Sequence, residues 1–196
     1  MHLSFWALPI LVPFILICCI PEAGAQKIER EKKVRKEVVP STAIEFISSL
    51  RVTSKIKWYH EESLRGISWE AKTKVGIKKY SIEFDENGVL EDIEIQIHES
   101  SLSPEVSKKM MNVLSRHLGK PVTRKIQQQL TGKPEDLRAA FISKHTIPRT
   151  VTIRYEVVAD GKVNGSKKRY EYTFDVYGNL LNHEQVLFRH TDNLEF

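Results

Sequence analysis

One thirteen-residue pattern occurs twice in this chain of 196 residues, and it limits the available folds more than any other feature. Lys78-Lys79-Tyr80-Ser81-Ile82-Glu83-Phe84-Asp85-Glu86-Asn87-Gly88-Val89-Leu90 aligns, 90 residues on, with Lys168 to Leu180, and six of the thirteen positions are identical. Tyr80, Ile82 and Phe84 alternate with polar residues, as do Tyr170, Tyr172 and Phe174. Period-two alternation marks a half-buried strand, because successive side chains leave opposite faces. Asn87-Gly88 is a hairpin signal, and the second copy keeps the glycine as Gly178, since these residues tolerate positive φ. Asp85 and Asp175 read as turn formers that accept from nearby backbone N–H groups. Each copy is therefore expected to be strand, turn, strand.

The likeness extends upstream. Ile67 to Lys72 and Ile153 to Val158 are a second pair of alternating segments, and Lys55-Ile56-Lys57-Trp58 corresponds to Lys125-Ile126-Gln127-Gln128. A helix precedes each. The first starts near Ser41 or Thr42, where Thr42 and Glu45 fit a capping box, and Ile44, Ile47 and Leu50 form its apolar stripe. The second has Ser103 as N-cap and Pro104 at its first position, where proline is favoured. Val106, Met110, Val113, Leu114 and His117 share one of its faces, so the two methionines, Met110 and Met111, read as core filler. These patterns place helices over 42–51 and 104–118. An insertion from Gly132 to Pro148 carries a short extra helix over Pro134 to Phe141. The expected fold is α+β, a tandem repeat of a helix plus about four strands, giving one antiparallel sheet of about eight strands with two helices on one face. Repeat one spans 39–100 and repeat two 101–190, within a domain covering 39–196.

Residues 1–25 read as a signal peptide. Phe5 to Ile20 is apolar apart from two prolines, and Ala23-Gly24-Ala25 is a small-x-small cleavage signature before Gln26. An uncleaved anchor and a lipoprotein modified at Cys19 are the other readings, the latter opposed by Cys18 in the preceding position. Cleavage removes both cysteines, Cys18 and Cys19, and with them disulfide and thiol chemistry. It leaves 30 Lys and Arg against 24 Asp and Glu, with the charges interleaved. Segment 26–38 is the most densely charged and reads as a flexible arm. A nucleic-acid binder would show a denser one-signed stripe with stacking aromatics. The expected location is periplasmic or secreted.

The order helix, Lys-Ile strand and Lys-Tyr-x-Ile-x-Phe-Asp-x-x-Gly-x-Leu hairpin, repeated after an exported leader, resembles the PepSY-like proteins, also described as β-lactamase-inhibitor-like. The likeness runs from Val39 to Arg189. It implies a tandem helix-plus-sheet fold and a non-enzymatic binding or inhibitory role, without naming a target, because fold does not fix function. The inserted helix depart from the pattern, as do His183 and Gln185, which stand where the first copy has Ile93 and Ile95.

No catalytic or metal-binding role is expected. The chain has no G-x-S-x-G, and its serines fall at helix starts, strand faces and loops. His60, His98, His117, His145, His183 and His190 include no H-x-H or H-x-x-x-H pair, although His60 with Glu62, or His183 with His98, could meet across a sheet. Asp85-Glu86-Asn87-Gly88 fails the EF-hand frame because strands flank it and no glutamate closes it. No cofactor is expected. The remaining candidate is the polar sheet face: if Ile56 and Trp58 point to the helices, then Lys57, Tyr59, Glu70, Lys72, Glu83, Glu94, Gln96, Arg154 and Glu156 point away. Tyr59, Glu70, Arg154, Glu156 and Phe188 are the expected partner-binding residues on that face, because exposed aromatics with arginine anchor protein interfaces. The expected function is non-enzymatic docking of an unidentified envelope protein. The rivals are a metal-dependent or other secreted enzyme and a structural envelope protein with no discrete partner.

Overall fold

The computed structural model describes residues 26–63, 66–143 and 146–188, with the side chains of 26–30 and of Phe188 excepted. The signal segment 1–25 lies outside the described residues, as do His145 and His190. The elements in chain order are β1 (Gln26–Val34), α1 (Ser41–Ser49), β2 (Lys57–Ser63), β3 (Gly66–Val75), β4 (Lys78–Asp85), β5 (Leu90–Gln96), α2 (Pro104–Leu118), β6 (Val122–Thr131), α3 (Pro134–Ser143), β7 (Thr152–Val163), β8 (Ser166–Asp175) and β9 (Leu180–Phe188). The order helix then four strands thus occurs twice, with α3 inserted after β6. Three α-helices form among the described residues, and α3 is the helix expected in the insertion.

Among the described residues the sheet has nine strands in sequence order, and it closes. Every consecutive pair is antiparallel, from β1–β2 to β8–β9. The seam is β1 against β9, parallel, with Gln26 opposite Gln185 and Glu29 opposite Phe188. The ninth strand comes from segment 26–38, which sequence alone assigned to a flexible arm. Its charges gave no hydrophobic pattern, yet a strand between two others needs only backbone donors and acceptors to complete a ladder. Closure removes the sheet's open edges and overturns the expectation of an open sheet with one face left to solvent or a partner. That face is the inside of a barrel.

Apolar residues take the outer face, under the helices. Trp58, Ala71, Tyr80, Ile82, Phe84 and Ile93 pack with Ala43 and Ile47 of α1 and Leu137, Ala140 and Phe141 of α3. Ile126, Val157, Ala159, Tyr170, Tyr172 and Phe174 pack with Met110, Leu114 and Leu118 of α2, the core filler expected of Met110. Pro104 starts α2, and Ser103 Oγ accepts from Val106 N at 3.3 Å as the expected cap. The capping box expected for α1 does not form. Thr42 Oγ1 instead donates to the carbonyl of Asn87 at 2.8 Å, tying the start of α1 to the β4–β5 turn.

That turn and the β8–β9 turn have matching hydrogen bonds. Asp85 Oδ1 accepts from Asn87 N at 2.9 Å and Val89 N at 2.8 Å. Asp175 Oδ1 accepts from Tyr177 N at 2.9 Å and Asn179 N at 2.8 Å. Gly88 and Gly178 have φ of 80° and 79°. Each also tucks against a helix start: a Cβ on Gly88 would lie 2.4 Å from Thr42 Oγ1 and 2.6 Å from Pro40 Cβ, and one on Gly178 would lie 3.0 Å from the carbonyl of Val106. Positive φ costs an L-residue about 1–2 kcal/mol, and the Gly88 clash adds to it. Gly88→Ala is therefore expected to cost about 2 kcal/mol or more, and Gly178→Ala less. Urea unfolding of the two variants checks the order, which fails if Gly178→Ala is the more damaging.

Candidate binding site

Alternation that puts tyrosines and phenylalanines outside puts charged residues inside. Across the sheet, Tyr59, Glu70, Glu83 and Asp92 stand in one register row, and Lys57, Lys72, Ser81, Glu94, Gln129 and Arg154 in another. A third row runs Gln96, Gln127, Glu156 and Thr173. Glu70, Asp92, Glu94, Gln127, Glu156 and Glu184 are all buried, at 8% exposure or less. A buried charge is tolerated when it is paired, hydrogen-bonded or neutralised, and the interior uses all three.

At one wall, Lys72 Nζ lies 2.9 Å from Glu31 Oε2 and 2.8 Å from Glu70 Oε2, and 4.6 Å over the ring of Tyr59. Ser81 Oγ donates to Glu70 Oε1. Burial pushes the Glu70 carboxyl up to about 8 against the pull of Lys72. At the opposite wall, a bulge between Thr123 and Lys125 turns both Arg124 and Lys125 towards the interior cavity. Arg124 Nε donates to Asp160 Oδ2 at 2.7 Å, and Arg169 Nε to Asp160 Oδ1 at 2.5 Å. The Arg169 hydrogen bonds, more than any other contact, hold the Asp160 carboxyl down at about 2. Burial works against the charge on Lys125, but Glu94, Glu156, Glu171 and Glu70 around it outweigh burial and hold its pKa up. Burial and neighbouring carboxylates raise Asp92 and Glu94 well above the ordinary range.

The barrel has a basic end, where β2, β4, β6 and β8 begin and β3, β5 and β7 finish. A cavity of about 510 Å³ opens there, lined by Lys55, Lys57, Lys72, Lys74, Lys79 and Lys125 with Tyr59, Tyr80, Gln96, Gln127 and other polar residues. Glu70 is its sole acidic lining residue. Lys72 and Lys125 turn inward to carboxylates, whereas Lys55, Lys57, Lys74 and Lys79 form no ion pair among the described residues. A smaller cavity of about 240 Å³ lies deeper, lined by Glu70, Glu83, Glu94, Glu156 and Glu171 together with Lys72, Arg124, Lys125 and Arg169.

The parity expected for the inner face holds, but its setting differs. Tyr59 lines the end cavity, half-buried. Glu70 and Glu156 are buried inside the barrel, and Arg154 is half-buried on the same wall. The backbone of Phe188 ends β9, and its side chain lies outside the described residues. Tyr59, Glu70, Arg154 and Glu156 do not form one flat docking face, because the closing strand wraps the sheet around them. Asp85, Asn87, Gly88, Asp175 and Gly178 all sit in the two turns, away from the basic end. Of the histidines, His60 Nδ1 lies 3.8 Å from Glu62 Oε1, whereas His183 stacks on Tyr172 and meets His117 at 5.0 Å rather than His98. Asp92, Lys125 and Gln127 escaped sequence reasoning. Their positions follow from the same alternation as Glu94, but without closure nothing marks an outward polar residue as buried.

Among the described residues no helix is long and apolar enough to cross a membrane. No family model and no curated protein matches the chain. Two solved structures share part of its layout. One is a DUF2874 family protein from Bacteroides ovatus, with 10% identity, 76% of this chain and 88% of that chain covered, and a TM-score of 0.49. The other is a BLIP-like protein from Bacteroides fragilis, with 14% identity, 81% and 91% covered, and a TM-score of 0.45.

Proposed function

We propose that this is an exported, non-enzymatic binding protein that docks an acidic segment of an envelope protein at the basic end of its barrel. One observation carries the reading: Lys55, Lys57, Lys74 and Lys79 ring the end cavity without ion-pair partners among the described residues. Every other charge cluster described above is satisfied within the chain or turned inward. Unpaired lysines around a concave opening attract anions and speed their arrival, and the half-buried Tyr59 adds contact area of the kind that anchors interfaces. The contact surface is thus the rim of the barrel, not the sheet face. Export, through cleavage after Ala25, remains part of the proposal on the strength of the leader. So does a tandem origin of 39–100 and 101–190, supported by the matched aspartate turns and the bulges at Glu83/Phe84 and Thr173/Phe174.

Binding of a fluorescent aspartate-rich peptide tests the reading. Wild-type protein is expected to bind it in low salt and release it as salt rises, because exposed charges are screened. Lys57→Glu with Lys79→Glu should weaken binding by at least about tenfold, since each lost contact between opposite charges becomes a repulsion. Both positions are exposed, so thermal stability should barely change. Equal binding by the double variant would place the site elsewhere. Binding of pyrophosphate without the peptide would make the protein a small-anion carrier instead.

A further inference from the structure

Among the described residues the interior holds two clusters of three carboxylates. In each, the ligand oxygens lie within 4.8 Å of one another: Glu31, Glu61 and Glu70 in the first, Glu83, Asp92 and Glu94 in the second. The first contains its own cation, since Lys72 bridges Glu31 and Glu70. In the second, no cation lies within ion-pair distance of Asp92 or Glu94 among the described residues, and the one lysine that acts on Glu94, Lys125, is shared with Glu156, Glu171 and Glu70. Asp92 and Glu94 are 7% and 3% exposed. Carboxylates this close and this dry repel strongly unless a cation or protons join them.

A second observation points to what joins them. Asp92 Oδ2 accepts from Gln129 Nε2 at 2.9 Å, while Asp92 Oδ1 is buried with no hydrogen-bond partner. Gln127 Nε2 likewise donates to Glu94 Oε2, while its own Oε1 is buried without a partner. Buried polar oxygens are rarely left so. The two glutamines act as outer supports that orient the carboxylates, the usual task of groups one step out from a metal. The backbone fixes the cluster as well. Glu83 stands directly opposite Asp92 across β4 and β5, and Glu94 is two residues along β5 on the same face. The deep cavity of about 240 Å³ is lined by Glu83 and Glu94 and leaves room for bound waters.

We propose that Glu83, Asp92 and Glu94 bind a hard divalent cation, calcium in particular, inside the barrel. The donors are all oxygen, which suits calcium, magnesium or manganese and not the softer metals that take histidine or cysteine. Calcium accepts six to eight oxygens in flexible geometry, whereas magnesium requires a near-ideal octahedron. Three carboxylates completed by waters fit the looser requirement. The ion would pin β4 to β5, the hairpin whose turn carries α1. This site is independent of the lysines at the basic end, and neither reading depends on the other.

Thermal unfolding of the chelator-treated full chain, with calcium chloride added back, tests the proposal. A ligand that binds only the folded state raises Tm in a saturable way. Wild type is expected to gain several degrees by about 1–10 mM calcium, the range suited to extracellular sites. Asp92→Asn removes one charge with little change of shape. It should melt above wild type without calcium, because repulsion falls, and should lose the calcium response. Glu94→Gln makes the same test if Asp92→Asn does not fold. Glu31→Gln, in the cluster that Lys72 neutralises, should keep the response. The proposal is overturned if calcium, magnesium and manganese all leave the wild-type Tm unmoved. It is equally overturned if both Asp92→Asn and Glu94→Gln respond as wild type does.

Discussion

Acidifying the metal-free protein from about pH 8 to about pH 4.5 is expected to stabilise it, by an amount on the order of 3–5 kcal/mol. Glu70, whose carboxyl ordinarily titrates near 4.5, is pushed up to about 8 by burial. A group whose folded pKa exceeds its unfolded value takes up a proton more readily in the folded state. Its stabilisation is complete below the unfolded value and is lost as pH rises through the folded one. For Glu70 the window therefore runs from 4.5 to about 8. Asp92 and Glu94 shift in the same direction through burial and mutual repulsion and reinforce the trend. Below that window the sign reverses. Asp160 falls from 3.8 to about 2 under its two arginines, so its contribution is present above 3.8 and disappears as pH drops towards 2. Stability should peak near about pH 4, below the range usual for proteins. Calorimetric Tm across this range, with chelator present, is the measurement. A Tm that falls steadily from pH 8 to 4.5 would show that these carboxyls stay charged in the folded state.

Tyr172→Ala should cost about 3–5 kcal/mol, the range for emptying a large aromatic site in a core. Tyr172 is wholly buried on the outer face of β8, beneath α2. It stacks on Phe174 at 6.2 Å and on His183 at 5.8 Å, and its hydroxyl lies 2.7 Å from Nδ1 of His117 at the end of α2. One side chain thus joins a helix and two strands. Tyr172→Phe keeps the ring and loses the hydroxyl bond alone, so about 1 kcal/mol is expected. Urea unfolding should show both midpoints lowered with unchanged slope, alanine far more than phenylalanine. A loss below about 1 kcal/mol for Tyr172→Ala would mean that α2 does not depend on this contact.

Local chemistry was legible in the sequence wherever local geometry dictates structure. The Asp85 and Asp175 turns, the proline start of α2, the helix in the insertion and the alternation of β4 and β8 were each read from a few neighbouring residues. Thr42 shows the limit of that reading. Its hydroxyl fits a capping box with Glu45 on local grounds, yet it donates to Asn87, a residue brought close by the β4–β5 turn.

Alternation by itself determined which side chains share a face: Tyr59, Glu70, Glu83, Glu94, Arg154 and Glu156 lie together, away from the helices. Whether that face is a surface or an interior was decided only by tertiary structure. The deciding element is β1, whose run of charges carries no period that marks a strand. Its pairing with β2 and β9 rests on backbone hydrogen bonds between segments far apart in sequence. Side-chain patterning cannot report such bonds, because every residue except proline offers the same donor and acceptor. Once the seam closes, Glu70, Asp92, Glu94 and Glu156 leave solvent together. The raised pKa values of Glu70, Asp92 and Glu94, and the glutamines that support the last two, follow from that enclosure.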